Sequence, residues 1–292
     1  MIDNNKTFQV ILHIIMVLLS LFCIVPFLLL ISSSITSEEA LTKFGYSFIP
    51  KEIDFSAYKY LLFDSTTIVR GYAISILTTV AGTVMNLMLT TLFAYPLSRR
   101  TLPGRNMFAF FIFFTMLFNG GLVPSYMMWT QIFHIKNTIY ALIVPNLMMG
   151  AFNIIMMRTY FTTNIPEEVI EAAKVDGASE MGILLKVVLP MSLPILATLA
   201  LLVGLGYWND WTNGLYYINK DSLYSIQVLL KKMLEDIDMM KKAAAAGASA
   251  MAMPSTAIRM AVAVIGVIPV LLIYPFFQKF FVKGIVVGAV KG

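Results

Sequence analysis

The chain has 292 residues, of which 59% are hydrophobic and 13% charged, with a mean hydropathy of +0.80. That balance excludes an ordinary soluble globular domain and makes lipid the solvent for much of the surface. The net charge of +5 does not read as a nucleic-acid footprint, because basic residues such as Arg99, Arg100 and Arg105 sit in short clusters beside apolar blocks, where they set topology. The single cysteine, Cys23, lies inside the first apolar block. It leaves no disulfide framework and no cysteine-based metal site, and reads as a small hydrophobe.

From the N-terminus, residues 1–9 read as a short cytoplasmic segment. The stretch from Thr7 to Ser37 carries no Asp, Glu, Lys or Arg and is too long for the apolar region of a signal peptide, so a retained membrane anchor is expected. Five further charge-free stretches follow: Gly71 to Ser98, Asn106 to Ile135, Asn137 to Met157, Val187 to Asn209 and Met260 to Gln278. Each holds a helix of about 20 residues, enough for a ~30 Å hydrocarbon core. The expected fold is an all-α integral membrane protein in which residues 10–292 form one transmembrane domain. Its six transmembrane helices fall near 10–35, 71–97, 107–131, 138–157, 187–209 and 260–278.

Six spans place both termini on one side. Arg99, Arg100 and Arg105 follow span two, and Lys279, Lys283 and Lys291 follow span six, so the positive-inside rule makes the N and C termini cytoplasmic. The connections 36–70 and 210–259 then face outward. The second of them contains Leu229 to Lys242, rich in good helix formers, followed by a small-residue stretch from Ala243 through Gly247 to Pro254 that reads as a hinge.

Within the spans, Asn119, Gly120 and Gly121 interrupt the third block, as a kink or outer loop, or as a loop pointing into a cavity. Pro190 and Pro194 lie four residues apart on one helical face near the start of span five, where each removes a backbone donor. A static kink and a hinge are both compatible with them. Trp208, Asn209 and Trp211 mark the outer end of that span, either as part of an aromatic belt or, for Trp208 and Asn209, as lining of a translocation path suited to sugar rings and hydroxyls. His13 and His134 are isolated and lack metal-ligand spacing.

The polar connection at 164–186 is the most informative segment. Asn164 with Glu167 resembles a capping box, Pro166 suits a first helical turn, and Ile165, Val169, Ala172 and Ala173 recur at helical spacing. Gly177 supplies the left-handed residue that ends such a helix. The helix is amphipathic but acidic, with Glu167, Glu168, Glu171, Asp176 and Glu180 in or beside it. An anionic leaflet repels that charge, whereas a protein cleft with Arg or Lys accepts it, and two consecutive alanines permit close approach.

Glu171-Ala172-Ala173, Asp176-Gly177-Ala178 and Val187-Val188-Leu189-Pro190 closely resemble the EAA signature of type I ABC importer permeases. Met181, Gly182 and Leu184 stand where family members often have aromatics. Phe118 to Pro124, Tyr207 to Trp211 and Tyr274 to Lys279 extend the resemblance toward the carbohydrate and oligosaccharide branch. The resemblance implies a multi-pass subunit of the bacterial cytoplasmic membrane that docks on a cytoplasmic ABC ATPase dimer through Glu171, Ala172, Ala173, Asp176, Gly177 and Pro190. It also implies a second permease subunit completing the pore and an extracytoplasmic solute-binding protein delivering a sugar. ATP and magnesium then belong to the partner ATPase, with no cofactor bound directly.

No Walker-type phosphate loop, paired metal motif or nucleophile elbow occurs in the sequence, so bond chemistry in this chain is not expected. A secondary transporter driven by an ion gradient is the principal rival, followed by an ABC permease for a non-carbohydrate solute. Ion-coupled machines usually keep ionisable groups within their spans. The six charge-free stretches have none, which favours an external energy source.

Overall fold

The computed structural model describes residues 6–61, 66–245 and 256–289. Residues 1–5, the expected hinge from Ala246 through Gly247 to Pro254, and Lys291 with its neighbours at 290–292 lie outside the described residues. In chain order the helices are α1 (Lys6–Ser34), α2 (Glu38–Phe44), α3 (Ser56–Lys59), α4 (Thr66–Ser98), α5 (Arg105–Leu117), α6 (Leu122–Met127), α7 (Tyr140–Ile143) and α8 (Ala151–Asn164). They continue with α9 (Glu167–Val175), α10 (Glu180–Ile183), α11 (Leu189–Met191), α12 (Leu193–Trp208), α13 (Thr212–Tyr217), α14 (Ile226–Ala245) and α15 (Thr256–Ala289). Apart from one antiparallel bridge between Thr36 and Ile53, the described residues contain only helices, turns and irregular segments.

The chain divides into two compact units, Met1–Val69 with Leu229–Pro269, and Arg70–Val228 with Val270–Gly292. In the first unit, the side chains of α1 are exposed or half-exposed up to residue 31, and burial begins only at Ser32, Ser33 and Ser34. Cys23 shares that exposed apolar surface. Beyond α1, Ser37 caps α2 by accepting from the Ala40 N–H at 3.2 Å. The Glu38 carboxylate accepts from the Ala257 N–H at 2.9 Å, which satisfies an orphan donor at the start of α15 and places negative charge at that helix N-terminus. The helix expected over Leu229 to Lys242 forms within α14.

The second unit is built on α4. Ser75, Thr78, Asn86 and Thr90 are buried along it, a polar stripe at helical spacing on an otherwise apolar helix. Thr78 donates within α4 to the Ile74 carbonyl, Ser75 accepts from the Ile226 N–H at the start of α14, and Asn86 reaches a segment whose backbone is not helical. The main core joins Ala94 and Leu97 of α4 with Ile154, Met157 and Phe161 of α8, Ile170 of α9, Ile183 of α10, and Ile195 and Leu199 of α12.

Among the described residues three helices are long and apolar enough to cross a membrane, α1, α4 and α15 from Thr256 to Phe276, or up to five if two bent pairs each count as one, so the six expected spans do not stand out as six continuous helices. The first bend, of 109°, falls between α5 and the run Leu122–Ile132. Phe118 is extended at its start and Gly121 has φ +88° at its end. The second, of 83°, lies across Ser192. Span four as drawn over 138–157 is not one helix. Pro145 interrupts it, Asn146 has φ +62°, and α8 begins only after Gly150. With 14 residues, α8 is about 21 Å long, short of a full crossing on its own.

The broken stretch between α7 and α8 frees carbonyls that a continuous helix would bond internally. Three carbonyls of this stretch accept from side chains of the same unit, that of Pro145 also from the Leu147 N–H. Tyr207 Oη donates to the Ile143 carbonyl at 2.9 Å, Asn213 Nδ2 to Pro145 at 2.9 Å and Asn86 Nδ2 to Leu147 at 2.6 Å. Thr90 Oγ1 donates in turn to Asn86 Oδ1 at 3.1 Å, fixing the amide orientation.

Candidate functional site in the loop between α8 and α12

The expected helix starts at Glu167 and ends at Val175. Its start does not use the expected capping box. Pro166 occupies the cap position without a side-chain cap bond. Asn164 instead ends α8, its amide donating to the Tyr160 carbonyl and the Thr163 hydroxyl, because the residue before a proline avoids helical geometry and the chain extends at Ile165.

At the other end, Gly177 has φ +79°, the left-handed conformation that a side chain resists. The Ala178 N–H donates to the Ala173 carbonyl and the Gly177 N–H to the Lys174 carbonyl, both at 3.0 Å. These are the two bonds of a Schellman end. An added Cβ at Gly177 meets nothing within 4 Å, so the demand for glycine comes from the backbone alone.

The helix buries Ile170 and half-buries Ala173, while Glu171, Ala172, Asp176 and Gly177 are exposed. Val169 and Ala172 therefore face outward rather than completing the apolar face expected of them. Val175 is 88% exposed and Met181 53%, so the segment presents apolar groups among carboxylates without covering them. Pro190 is exposed in α11. Near it, Ser192 is fully buried and its hydroxyl donates to the Val188 carbonyl at 2.7 Å, at the point where the chain turns into α12.

A polar network that sequence reasoning missed ties this segment to α4. The Glu180 carboxylate accepts from Lys174 Nζ at 2.7 Å through Oε1 and from Tyr95 Oη at 2.6 Å through Oε2. The arm carrying Glu180 lies at 83° to α12 and outside the apolar run that begins at Val187. Hydrogen bonds from Lys174 and then Tyr95 hold the Glu180 carboxyl below its ordinary range. Arg99 lies over the Tyr95 ring at 5.1 Å. Arg100 approaches Glu167 at 3.7 Å with both side chains largely exposed, a pair worth at most about 1 kcal/mol. Only the acidic character of Glu180 was visible beforehand, since its partner on α4, Tyr95, is 85 residues away in sequence.

The family model described as the binding-protein-dependent transport system inner membrane component matches residues 100–287. The chain belongs to this family. The permease is 36% identical over 289 residues to the polygalacturonan/rhamnogalacturonan transport system permease protein YtcP of Bacillus subtilis (strain 168), covering 99% of this chain and 100% of that protein. It is 37% identical over 276 residues to Protein LplC of the same organism, covering 92% and 90% respectively. Among solved structures, a bacterial ABC transporter involved in the import of the acidic polysaccharide alginate has a chain that matches with a TM-score of 0.82 at 33% identity, covering 94% of this permease and 97% of that chain. The fold is thus an all-α, multi-pass membrane fold resembling that of a type I ABC importer permease, and the subunit is a non-catalytic part of a transport system whose ATP hydrolysis resides in a separate ATPase. Among the described residues no group of His, Cys, Asp and Glu is arranged to hold a metal ion.

The remaining candidate residues are not gathered with the loop. Asn119 sits in the first bend, where its Oδ1 accepts from the Gly121 N–H at 2.8 Å. Asn209 is exposed at the end of α12. The permease buries Trp208 to 6% and tilts it against Tyr72, ring centroids 6.1 Å apart. Trp211, by contrast, is 40% exposed.

Proposed function

We propose that this permease forms half of a heterodimeric translocation pathway for a sugar chain, with oligosaccharides bearing uronate groups as the substrate class. The observation that carries the reading is end-to-end similarity, at 36% identity, to a permease named for polygalacturonan and rhamnogalacturonan transport. The match to an importer of the acidic polysaccharide alginate supports the same acidic class.

On this reading the chain crosses the membrane six times through α1, α4, α5, α8, α12 and α15, with both termini cytoplasmic. Residues 164–186 dock on one protomer of an ABC ATPase dimer, presenting Glu171, Ala172, Ala173, Asp176 and Gly177, with Pro190 at the following turn. The exposure of Glu171, Ala172, Asp176 and Gly177 supports this role, as does the Schellman end that fixes the turn. The outward segments 36–70 and 210–259 meet the solute-binding protein, and Asn119 and Asn209, with Trp208 behind, belong to the outer part of the path. Closure of the ATPase dimer moves the docked loop, and the helices packed on its core open the path outward.

The test is uptake by the assembled importer in proteoliposomes, with its own binding protein. Oligogalacturonides are expected to stimulate ATP hydrolysis and to accumulate inside, whereas neutral maltodextrins of equal length are not. Stimulation by maltodextrins alone overturns the acidic class, and absence of stimulation by any carbohydrate overturns the sugar reading.

A further inference from the structure

The core shared by α4, α8, α9, α10 and α12 buries Ile170 and Ile183 against Ala94 and Leu97. Apolar contact of this kind is non-directional and does not by itself fix how α9 is registered against α4. The polar contacts at Glu180 are directional. One carboxylate accepts from the last turn of α9 through Lys174 and from α4 through Tyr95, at 2.7 and 2.6 Å. Tyr95 is itself only 7% exposed, so its hydroxyl has few alternative acceptors. Beside this pair lies a mostly apolar cleft of about 390 Å³ bounded by Leu92, Tyr95, Arg99, Glu180 and Leu184, which leaves α4 and α10 room to shift against each other.

We propose that Glu180 is a positioning residue for energy coupling, a latch whose carboxylate joins α9 through Lys174 to α4 through Tyr95 and delivers displacement of the docked loop to that helix. The inference rests on the docking role of 164–186 proposed above. It differs from docking itself, which that reading assigns to Glu171, Ala172, Ala173, Asp176, Gly177 and Pro190, because both carboxylate oxygens of Glu180 are engaged within the subunit by Lys174 and Tyr95. Glu180 lies outside the acidic helix, and Tyr95 faces the interior.

The test uses the complete importer carrying Tyr95→Phe, Glu180→Ala, Glu180→Gln or the Tyr95→Phe/Glu180→Ala pair. Three quantities are read: ATPase retained on purification, ATP hydrolysis without binding protein, and the ratio by which loaded binding protein stimulates it. The ATPase is expected to co-purify at parental levels while the stimulation ratio falls about fivefold or more in Tyr95→Phe and Glu180→Ala, the lower end of a typical coupling free energy. The double variant is expected to be no worse than either single one, the signature of residues acting through one contact. Glu180→Gln, which keeps an acceptor for the Tyr95 hydroxyl, is expected to recover part of what Glu180→Ala loses. A ratio within about twofold of the parent in both single variants, or strictly additive losses in the double, overturns the latch. Loss of co-purified ATPase in these variants also overturns it, by making them part of docking. Failure of docking is a separate result, read from Glu171→Lys keeping its ATPase and its full stimulation.

Discussion

Tyr207 lies across Gly82 so closely that a Cβ at position 82 would overlap the Cζ end of the tyrosine ring. The same ring extends its hydroxyl to the Ile143 carbonyl at 2.9 Å. One side chain therefore sets the approach of α12 to α4 and covers a freed carbonyl ahead of the break before α8. Gly82→Ala is expected to displace this ring and lower stability by about 1–3 kcal/mol, the range for overpacking a close contact. Tyr207→Phe keeps the ring and leaves the Ile143 carbonyl unpaired, at about 1–3 kcal/mol. Thermal unfolding of the purified complex checks both, and a Gly82→Ala protein as stable as the parent would show that the two helices separate freely.

Asn86→Leu retains bulk but strips the Leu147 carbonyl of its donor and Thr90 of its acceptor. A loss of about 1–3 kcal/mol per abandoned buried group is expected. Asn213→Leu is expected to cost less, because the Pro145 carbonyl keeps the Leu147 N–H at 2.8 Å as a donor. Because both amides support one segment, the double variant should cost less than the sum; strict additivity in unfolding experiments would mean that the two bonds support separate segments.

At the end of α9, Gly177→Ala introduces no collision and is expected to cost about 1–2 kcal/mol from left-handed strain alone. Gly177→Asn, which tolerates that conformation better, should cost less. Gly177→Pro removes the N–H that bonds Lys174 and cannot adopt the positive φ, so it should uncouple transport most severely. Ranking the three by solute-stimulated ATP hydrolysis tests whether the turn itself, rather than bulk at the surface, matters.

Glu171→Lys alters an exposed carboxylate outside the core. Folding stability is expected to change by less than about 0.5 kcal/mol, while association with the ATPase weakens through reversed charge. Measuring both in one preparation separates the roles, and a stable subunit that binds its ATPase normally would remove Glu171 from the docking surface.

The pH behaviour of the Glu180 contacts follows from the direction of its shift. A carboxyl held below its ordinary range contributes fully above the pKa of the unfolded chain and is lost only as pH falls through the lower folded value. The stimulation ratio should therefore not change between about pH 8 and pH 6 on account of Glu180, because both its pKa values lie below that window. A dependence in that window that disappears in Glu180→Gln would contradict the assignment.

Much of the loop was legible because its determinants are local. A start near Pro166, a stop at Gly177 and a helical repeat between them lie within a dozen residues of one another, and the backbone follows them. The capping box failed because α8 persists to Asn164, which required knowing where the preceding helix ends. Absence of charge identified apolar stretches but not continuous helices: the interruption at Asn119 to Gly121 was legible, whereas Pro145 and Gly150 redirect the backbone inside a stretch that composition alone treats as uniform. Asn86 was passed over: an amide in an apolar run is a signal the sequence carries, but its burial and its partner Leu147 could not be named without the fold. The link between Tyr95 and Glu180 is long-range and left no mark on local pattern.

The capped break also bears on electrical insulation. A subunit that sits in an energised membrane must pass a bulky solute without letting protons or sodium ions run down the gradient. Bare carbonyls in an unwound helix attract water, and water in file conducts. With Ile143, Pro145 and Leu147 each facing a side-chain donor, the broken helix withholds from water three of the acceptors on which a leak would assemble.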